Sequence, residues 1–271
     1  MFKKFCEENS ITYFGCGGTA IGAVRHKGMI PWDDDIDVCM IRGDYDKFLS
    51  LKSKLIGSGY EILSIGDDNY PLPFAKFCDS NSTIWALKEL PCLWGIFIDV
   101  YPLDIVTGNN ADVRHEQQYY MNVCYSYFNG FKSLRFIDII KSLIQEDWCL
   151  AVKCLKNRFF IEKRRQKYFD EIINLINKHR ETNGSFVLNY FTPYNVEKEI
   201  FPMEWFSSTV EFPFENTRIC LPIGYHEYLS QLFGDYMTPP PIAQRKSHNI
   251  YYIDFEKKLS MEEINNLKVI K

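Results

Sequence analysis

Residues 15–40 read GCGGTAIGAVRHKGMIPWDDDIDVCM. The segment leading into them, Ile11 to Cys16, is β-branched and aromatic, which predicts a strand. Gly17-Gly18-Thr19 then turns the chain into one or two helical turns over Ala20 to Arg25. Residues His26 to Asp34 read as a loop punctuated by Gly28 and Pro31. Ile36 to Ile41 predicts a second strand. Residues two apart in a strand share a face, so Asp35 and Asp37 project together while Ile36 and Val38 turn to the core. Two hard oxygen ligands side by side suit Mg²⁺, which takes few carboxylates and leaves positions for phosphate oxygens and water. Asp33 and Asp34 strengthen the negative field from the approach loop.

Working outward, Gly95 to Val100 predicts another strand, ended by Pro102, and it carries Asp99 among apolar neighbours. A carboxylate in such a run is costly to bury unless it is paired or binds metal. Three carboxylates on neighbouring strands suffice to hold two metals bridging phosphate oxygens. The Gly17-Gly18-Thr19 turn offers free N–H groups to an anion at a helix start. It is neither a P-loop nor GxGxxG, and taken alone it reads as a plain turn. Lys76, between aromatics in FAKFC, is costly on a buried face without a partner, and contact with phosphate is one way to supply one. Arg25, His26 and Lys27 put positive charge beside the acidic segment, where pairing with Asp33 or Asp34 is the simplest role. Trp32 reads as core or as a wedge over the site.

The remaining pattern is strands bracketing helices. Helices are predicted over Phe2 to Glu8 and Tyr45 to Ile56, and strands over Tyr60 to Ile65, Phe74 to Cys78 and Thr83 to Leu87. The middle is helical over Asp112 to Asn129, Ser133 to Leu155 and Asn157 to Lys178. A hairpin around Glu215-Asn216 and a helix over Tyr225 to Phe233 follow. This order predicts an α/β or α+β chain with a helical insertion. It divides into a core over 1–110, the insertion over 111–183, and a part over 184–271 packing back on the core.

With 271 residues and 46% hydrophobic composition, the chain can bury a sizeable core without disulfide or metal staples. A net charge of −4 argues against a duplex-binding protein, so no nucleic-acid partner is expected. Nine scattered cysteines without a CxxC pair read as reduced thiols. The N-terminus turns acidic too early for a signal peptide, and no run approaches the ~18 apolar residues of a membrane span. A cytoplasmic location is therefore expected. Lys153 to Lys167 carries seven basic residues against one acid. That is a solvated helix face or a contact with anionic lipid at the inner membrane surface. Tyr119, Tyr120, Tyr125 and Tyr127 suit helix packing, with an aromatic cage for choline as the alternative.

The segment GGTAIGAVRHKGMIPWDDDIDVCM resembles the core motif of the LicD family, and the resemblance continues at GIFIDVYPLD and at LPIGYHEYLSQLFGDYMTPPP followed by Ser247-His248. It implies an α+β, nucleotidyltransferase-like mixed sheet. It also implies transfer of a phosphorylated alcohol from a CDP-alcohol donor, CDP-choline first, to a glycan acceptor such as lipopolysaccharide or teichoic acid, with CMP released. On this resemblance Asp35, Asp37 and Asp99 hold Mg²⁺ or Mn²⁺, and Gly17, Gly18 and Thr19 face phosphate. Arg25 and Lys27 are phosphate contacts. Asp99, then His248, is the candidate to take the acceptor's proton. Two other classes share these residues: a nucleotidyltransferase attaching the nucleotide itself, and a non-catalytic glycan- or nucleotide-binding module.

Overall fold

The computed structural model describes residues 1–88, 90, 92–131, 148–191, 194, 196–245, 247 and 250–266, excluding the side chains of 148–160, 196 and 265. The chain opens with α1 (Phe2–Glu8), β1 (Phe14–Gly15) and α2 (Gly17–Ile21), which continues into a π-helical turn over Gly22–His26. Next come β2 (Asp37–Ile41), α3 (Arg42–Ser50), β3 (Tyr60–Leu63), β4 (Ala75–Asp79), β5 (Thr83–Trp85) and β6 (Phe97–Val106). Two long helices, α4 (Ala111–Asn129) and α5 (Trp148–Arg180), precede β7 (Phe186–Leu188) and β8 (Ile200–Pro202). The hairpin β9 (Thr209–Phe214) and β10 (Thr217–Pro222), α6 (Tyr225–Phe233), β11 (Tyr252–Asp254) and α7 (Met261–Asn266) complete the described elements.

The main sheet runs β1-β2-β6-β4-β3, with β7 paired to β6 and β8 to β7. β2 and β6 are parallel, and the other described pairs are antiparallel. The sheet is therefore mixed and the fold is α+β, as expected. Alternation sorts its two faces. Phe77 of β4 gathers the rings of Phe2, Phe5 and Phe48 from α1 and α3, with centroids 5.4, 6.0 and 6.5 Å away. Its neighbour Lys76 pairs in register with Asp99 and points to the opposite face. A second core joins Cys124 and Tyr127 of α4 to Ile172 and Leu175 of α5, with Leu188 and Tyr190. The Glu215-Asn216 hairpin is present, closed by Phe214 opposite Thr217.

Some boundaries differ from expectation. The first strand shrinks to Phe14–Gly15 because β2 offers partners only at Cys39 and Val38, and the Ile11 amide bonds back to Cys6 of α1. β2 begins at Asp37, so Asp35 lies on the segment entering the strand. β6 runs through Pro102 to Val106. The Asp99 amide donates toward β2, to Ile36 O at 2.9 Å. Three residues on, Pro102 has its missing N–H on the other edge, between the last rung with β4 at Val100 and the first with β7 at Asp104. The strand thus loses no ladder bond there. Most of the helix expected over 133–155 lies outside the described residues.

A buried charge chain fastens the helices to the sheet. Arg42, opening α3, donates from Nε and Nη2 to both carboxylate oxygens of Asp104 on β6, at 2.6 and 2.7 Å. Its Nη1 lies 3.8 Å from Asp46, which accepts from Arg180 at the end of α5. Arg42 and Asp104 are both buried, so removing one leaves the other as an uncompensated charge. Asp104→Ala is expected to lower unfolding stability by ~3–5 kcal/mol. A double change of both residues to apolar ones should cost clearly less. Denaturant unfolding of the two variants checks this, and equal losses would contradict it.

Candidate functional site

Parallel register carries two acidic side chains to one place. Asp37 of β2 is the register partner of Asp99 of β6, and the next rungs on that face are Cys39 with Tyr101 and Ile41 with Leu103. Asp35, two residues before Asp37 on an extended segment, reaches the same point. Asp35, Asp37 and Asp99 each offer a carboxylate oxygen within 4.8 Å of the others. Asp33, Asp34 and Asp35 form a second such group, which shares Asp35.

The Gly17–Thr19 turn packs directly against this cluster. Gly17 has a φ of +54°, a conformation costly for other residues, and a Cβ on it would sit 3.5 Å from Asp37 Oδ2. A Cβ on Gly18 would lie 2.4 Å from Asp33 Oδ2. The glycines therefore let the start of α2 approach the carboxylates. Thr19 does other work: its buried hydroxyl accepts the Asp37 backbone N–H at 2.8 Å. It positions the start of β2. The Gly17 amide donates to the Tyr228 hydroxyl at 3.1 Å.

Lys76 has a partner, contrary to the reading in which it waits for phosphate. Its Nζ lies 2.5 Å from Asp99 Oδ1, with both side chains buried, and 3.3 Å from the centroid of the Phe97 ring. The ammonium supplies Asp99 with a fixed positive partner inside the fold. Asp37 is in the opposite situation. Burial first, and then the charges of Asp35, Asp99 and Asp33, push its carboxyl up to about 8 against the weaker pull of Lys76. Asp37 Oδ1 is buried and accepts no hydrogen bond. A buried acceptor without a donor, among carboxylates that raise one another's proton affinity, fits a hard divalent cation.

A cavity of about 270 Å³ opens beside the cluster, and Gly17, Gly18, Asp33, Asp35 and Asp37 are among its lining residues. Among the described residues its lining does not include Arg25 or Lys27. Lys27 is exposed, with a left-handed backbone at φ 58°, and its carbonyl accepts the Glu215 amide from the hairpin tip. Arg25 donates to Tyr236 O at 2.6 Å and to His26 at 2.9 Å. Trp32 packs against the first core, with the Arg245 guanidinium 4.3 Å and the Arg25 guanidinium 6.0 Å from its ring centroid. Burial and the nearby Arg245 charge lower the proton affinity of Arg25. Arg245 carries no signal in sequence because it follows a proline-rich turn. His248 lies outside the described residues.

Two tyrosines of α4 pack inward: Tyr127 is buried against Phe131 and Tyr120 meets Tyr190. Tyr119 and Tyr125 are exposed, and the Tyr119 hydroxyl donates to Glu171 at 2.7 Å. On α5, Arg165 lies over the Phe131 ring, while Lys163 and Lys167 are exposed. No helix among the described residues is long and apolar enough to cross a membrane.

Residues 10–139 match the family model described as LicD/FKTN/FKRP, nucleotidyltransferase domain. That span contains the turn, the three carboxylates and Lys76. Across nearly the whole chain the protein is similar to the lipopolysaccharide cholinephosphotransferase LicD of Haemophilus influenzae, at 29% identity over 254 residues, 92% of this chain and 91% of the relative. Shorter matches are to uncharacterized proteins of Rickettsia typhi, 40% identical over 55 residues covering 20% of this chain and 18% of the relative, and of Rickettsia prowazekii, 49% identical over 37 residues covering 14% of each.

The Asp37 environment generates a testable expectation. Between the ordinary carboxylate range and about 8, the folded protein keeps a proton that the unfolded chain has released. The stability contributed by this group therefore falls as pH rises through that window. Asp37→Asn removes the loss. In chelator at pH about 8 the variant should melt several degrees above the unmodified protein, and it should lose the rise in melting temperature that Mg²⁺ gives the latter. A variant that melts lower in chelator and is still stabilised by Mg²⁺ would contradict the site.

Proposed function

We propose that this chain, whose residues 10–139 form a nucleotidyltransferase domain of the LicD family, transfers phosphocholine from CDP-choline to a hydroxyl of a lipopolysaccharide glycan and releases CMP. The observation that carries the reading is the convergence of Asp35, Asp37 and Asp99 within 4.8 Å, with Asp35 and Asp37 lining a cavity beside a glycine turn. The choline and lipopolysaccharide parts rest on the similarity to the Haemophilus enzyme.

Asp35, Asp37 and Asp99 would hold Mg²⁺, with Mn²⁺ as a substitute. Bound there, the cation would withdraw charge from the pyrophosphate oxygens of the donor. The protein's own residues do the rest. Gly17 and Gly18, lacking Cβ atoms, let the donor's phosphates lie close to the backbone at the start of α2. Thr19 and Lys76 hold Asp37 and Asp99 in orientation. The acceptor hydroxyl oxygen attacks the phosphorus that carries choline, and the bond from that phosphorus to the bridging oxygen breaks. CMP leaves with the electron pair. Asp99 takes the hydroxyl proton as the new P–O bond forms. His248 is the other proton acceptor in this reading. A glycan on a lipid anchor also gives Lys153–Lys167 a role in holding the protein at an anionic membrane surface from the cytoplasmic side.

Incubation with CDP-choline, Mg²⁺ and lipopolysaccharide should release CMP and label the glycan with phosphocholine. Asp35→Asn and Asp99→Asn should each lower kcat about a hundredfold or more, since several kcal/mol of charge stabilisation is lost. Glycan labelled with the nucleotide instead would establish nucleotidyl transfer. Full turnover in either variant would remove the carboxylates from the reaction.

A further inference from the structure

Besides the glycines and carboxylates, the cavity is lined by Tyr101, Asn189, Tyr194, Glu199, Phe201 and Tyr228. These come from separate elements: Tyr101 from β6, Phe201 from β8, Tyr228 from α6, and Tyr194 and Glu199 from the segment between β7 and β8. Phe201 and Tyr228 meet edge to face with centroids 4.9 Å apart, and the Tyr228 hydroxyl is held by the Gly17 amide. Glu199 is 5% exposed, so its carboxylate is set inside the fold. Asp33, Asp35, Asp37 and Glu199 all line the cavity, and no lysine or arginine is among its described lining residues. The lining thus combines carboxylates with aromatic rings.

Glu199 and the carboxylate cluster act on shared neighbours. Burial, and then the charges of Glu199, Asp37 and Asp33, raise the Tyr194 hydroxyl to about 12. Cys16 is likewise raised by both Asp37 and Glu199, after its bond to Cys39 and its burial.

We propose that Tyr101, Tyr194, Phe201, Tyr228 and Glu199 form the subsite for a quaternary ammonium headgroup of the donor, with Glu199 selecting a cationic headgroup over a neutral one. The proposal rests on the CDP-choline reading and adds the residues that recognise choline. A trimethylammonium group has no N–H to donate, so hydrogen-bonding side chains do not distinguish it. Aromatic rings and a full negative charge do. A neutral polyol headgroup would gain nothing from the negative charge of Glu199 or from the aromatic faces, which are what separate a cation from it. Size agrees: about 270 Å³ falls just under the ~300–1,000 Å³ of small-molecule sites, enough for a phosphorylated headgroup and too little for the whole donor. The headgroup would then lie within reach of the carboxylates that flank its phosphate.

The test is isothermal titration of the full chain with CDP-choline and, separately, with CMP, both in Mg²⁺. Glu199→Gln keeps the side-chain shape and removes the charge. It is expected to weaken CDP-choline binding about tenfold and leave CMP binding unchanged, which also reports that the variant is folded. Tyr194→Ala, at a half-exposed rim position where folding is tolerant, should weaken CDP-choline severalfold with CMP again unchanged. If the unmodified protein binds CDP-choline and both variants bind it equally well, the subsite is wrong while the donor reading stands. Equal loss of CDP-choline and CMP in both variants also overturns it, because the residues would then serve the nucleotide or the fold. An unmodified protein that binds CMP and not CDP-choline overturns the donor reading and the subsite together.

Discussion

The parallel pairing of β2 with β6 is the constraint on which the site depends. It is the one parallel pair among the described strands of the main sheet, and its register sets Asp37 beside Asp99. A slip of one residue would turn one of the two carboxylates to the opposite face, into the aromatic core around Phe77. Register is held from several sides. The Asp99 amide bonds to Ile36, the Cys16 amide to Asp37, and the Asp37 amide to Thr19. The same strand, β6, ends with Asp104 locked to Arg42, so one strand fixes both the site and the attachment of α3.

Charge balance explains why this arrangement is conditional. Buried carboxylates in proximity are costly unless protons, cations or fixed positive groups offset them. Lys76 meets this need at Asp99, and aromatic rings from Phe74, Trp94 and Phe97 surround its ammonium. Asp37 is left with an elevated proton affinity and a buried oxygen without a donor. Such a site releases a proton when it binds a divalent cation, so affinity for the cation rises with pH. In the proposed reading, Glu199 in the same cavity repeats this logic with a substrate cation.

The carboxylate pair was legible because a two-residue spacing maps directly onto one face of an extended segment. Asp99 was legible because an acid within FIDVYP violates the pattern of its neighbours. The hairpin around Glu215-Asn216 followed from turn chemistry alone. Other features depend on tertiary pairing that no local pattern encodes. Lys76 finds Asp99 across a ladder between β4 and β6, 23 residues apart in sequence. Pro102 looks like a strand end until the change of neighbour from β4 to β7 is known. Glu199 sits in VEKEIFP, where alternating charges read as solvated surface, yet it is buried. Arg245 reaches Trp32 only because the chain returns over the site after α6.

Diffraction from crystals grown with Mn²⁺ and CMP, measured for its anomalous signal, tests the account most directly. The account predicts manganese within about 2.2 Å of oxygens from Asp35, Asp37 and Asp99, with further positions filled by phosphate oxygens or water. Manganese bound only by Asp33, Asp34 and Asp35 on the approach loop, away from Asp99, would contradict it.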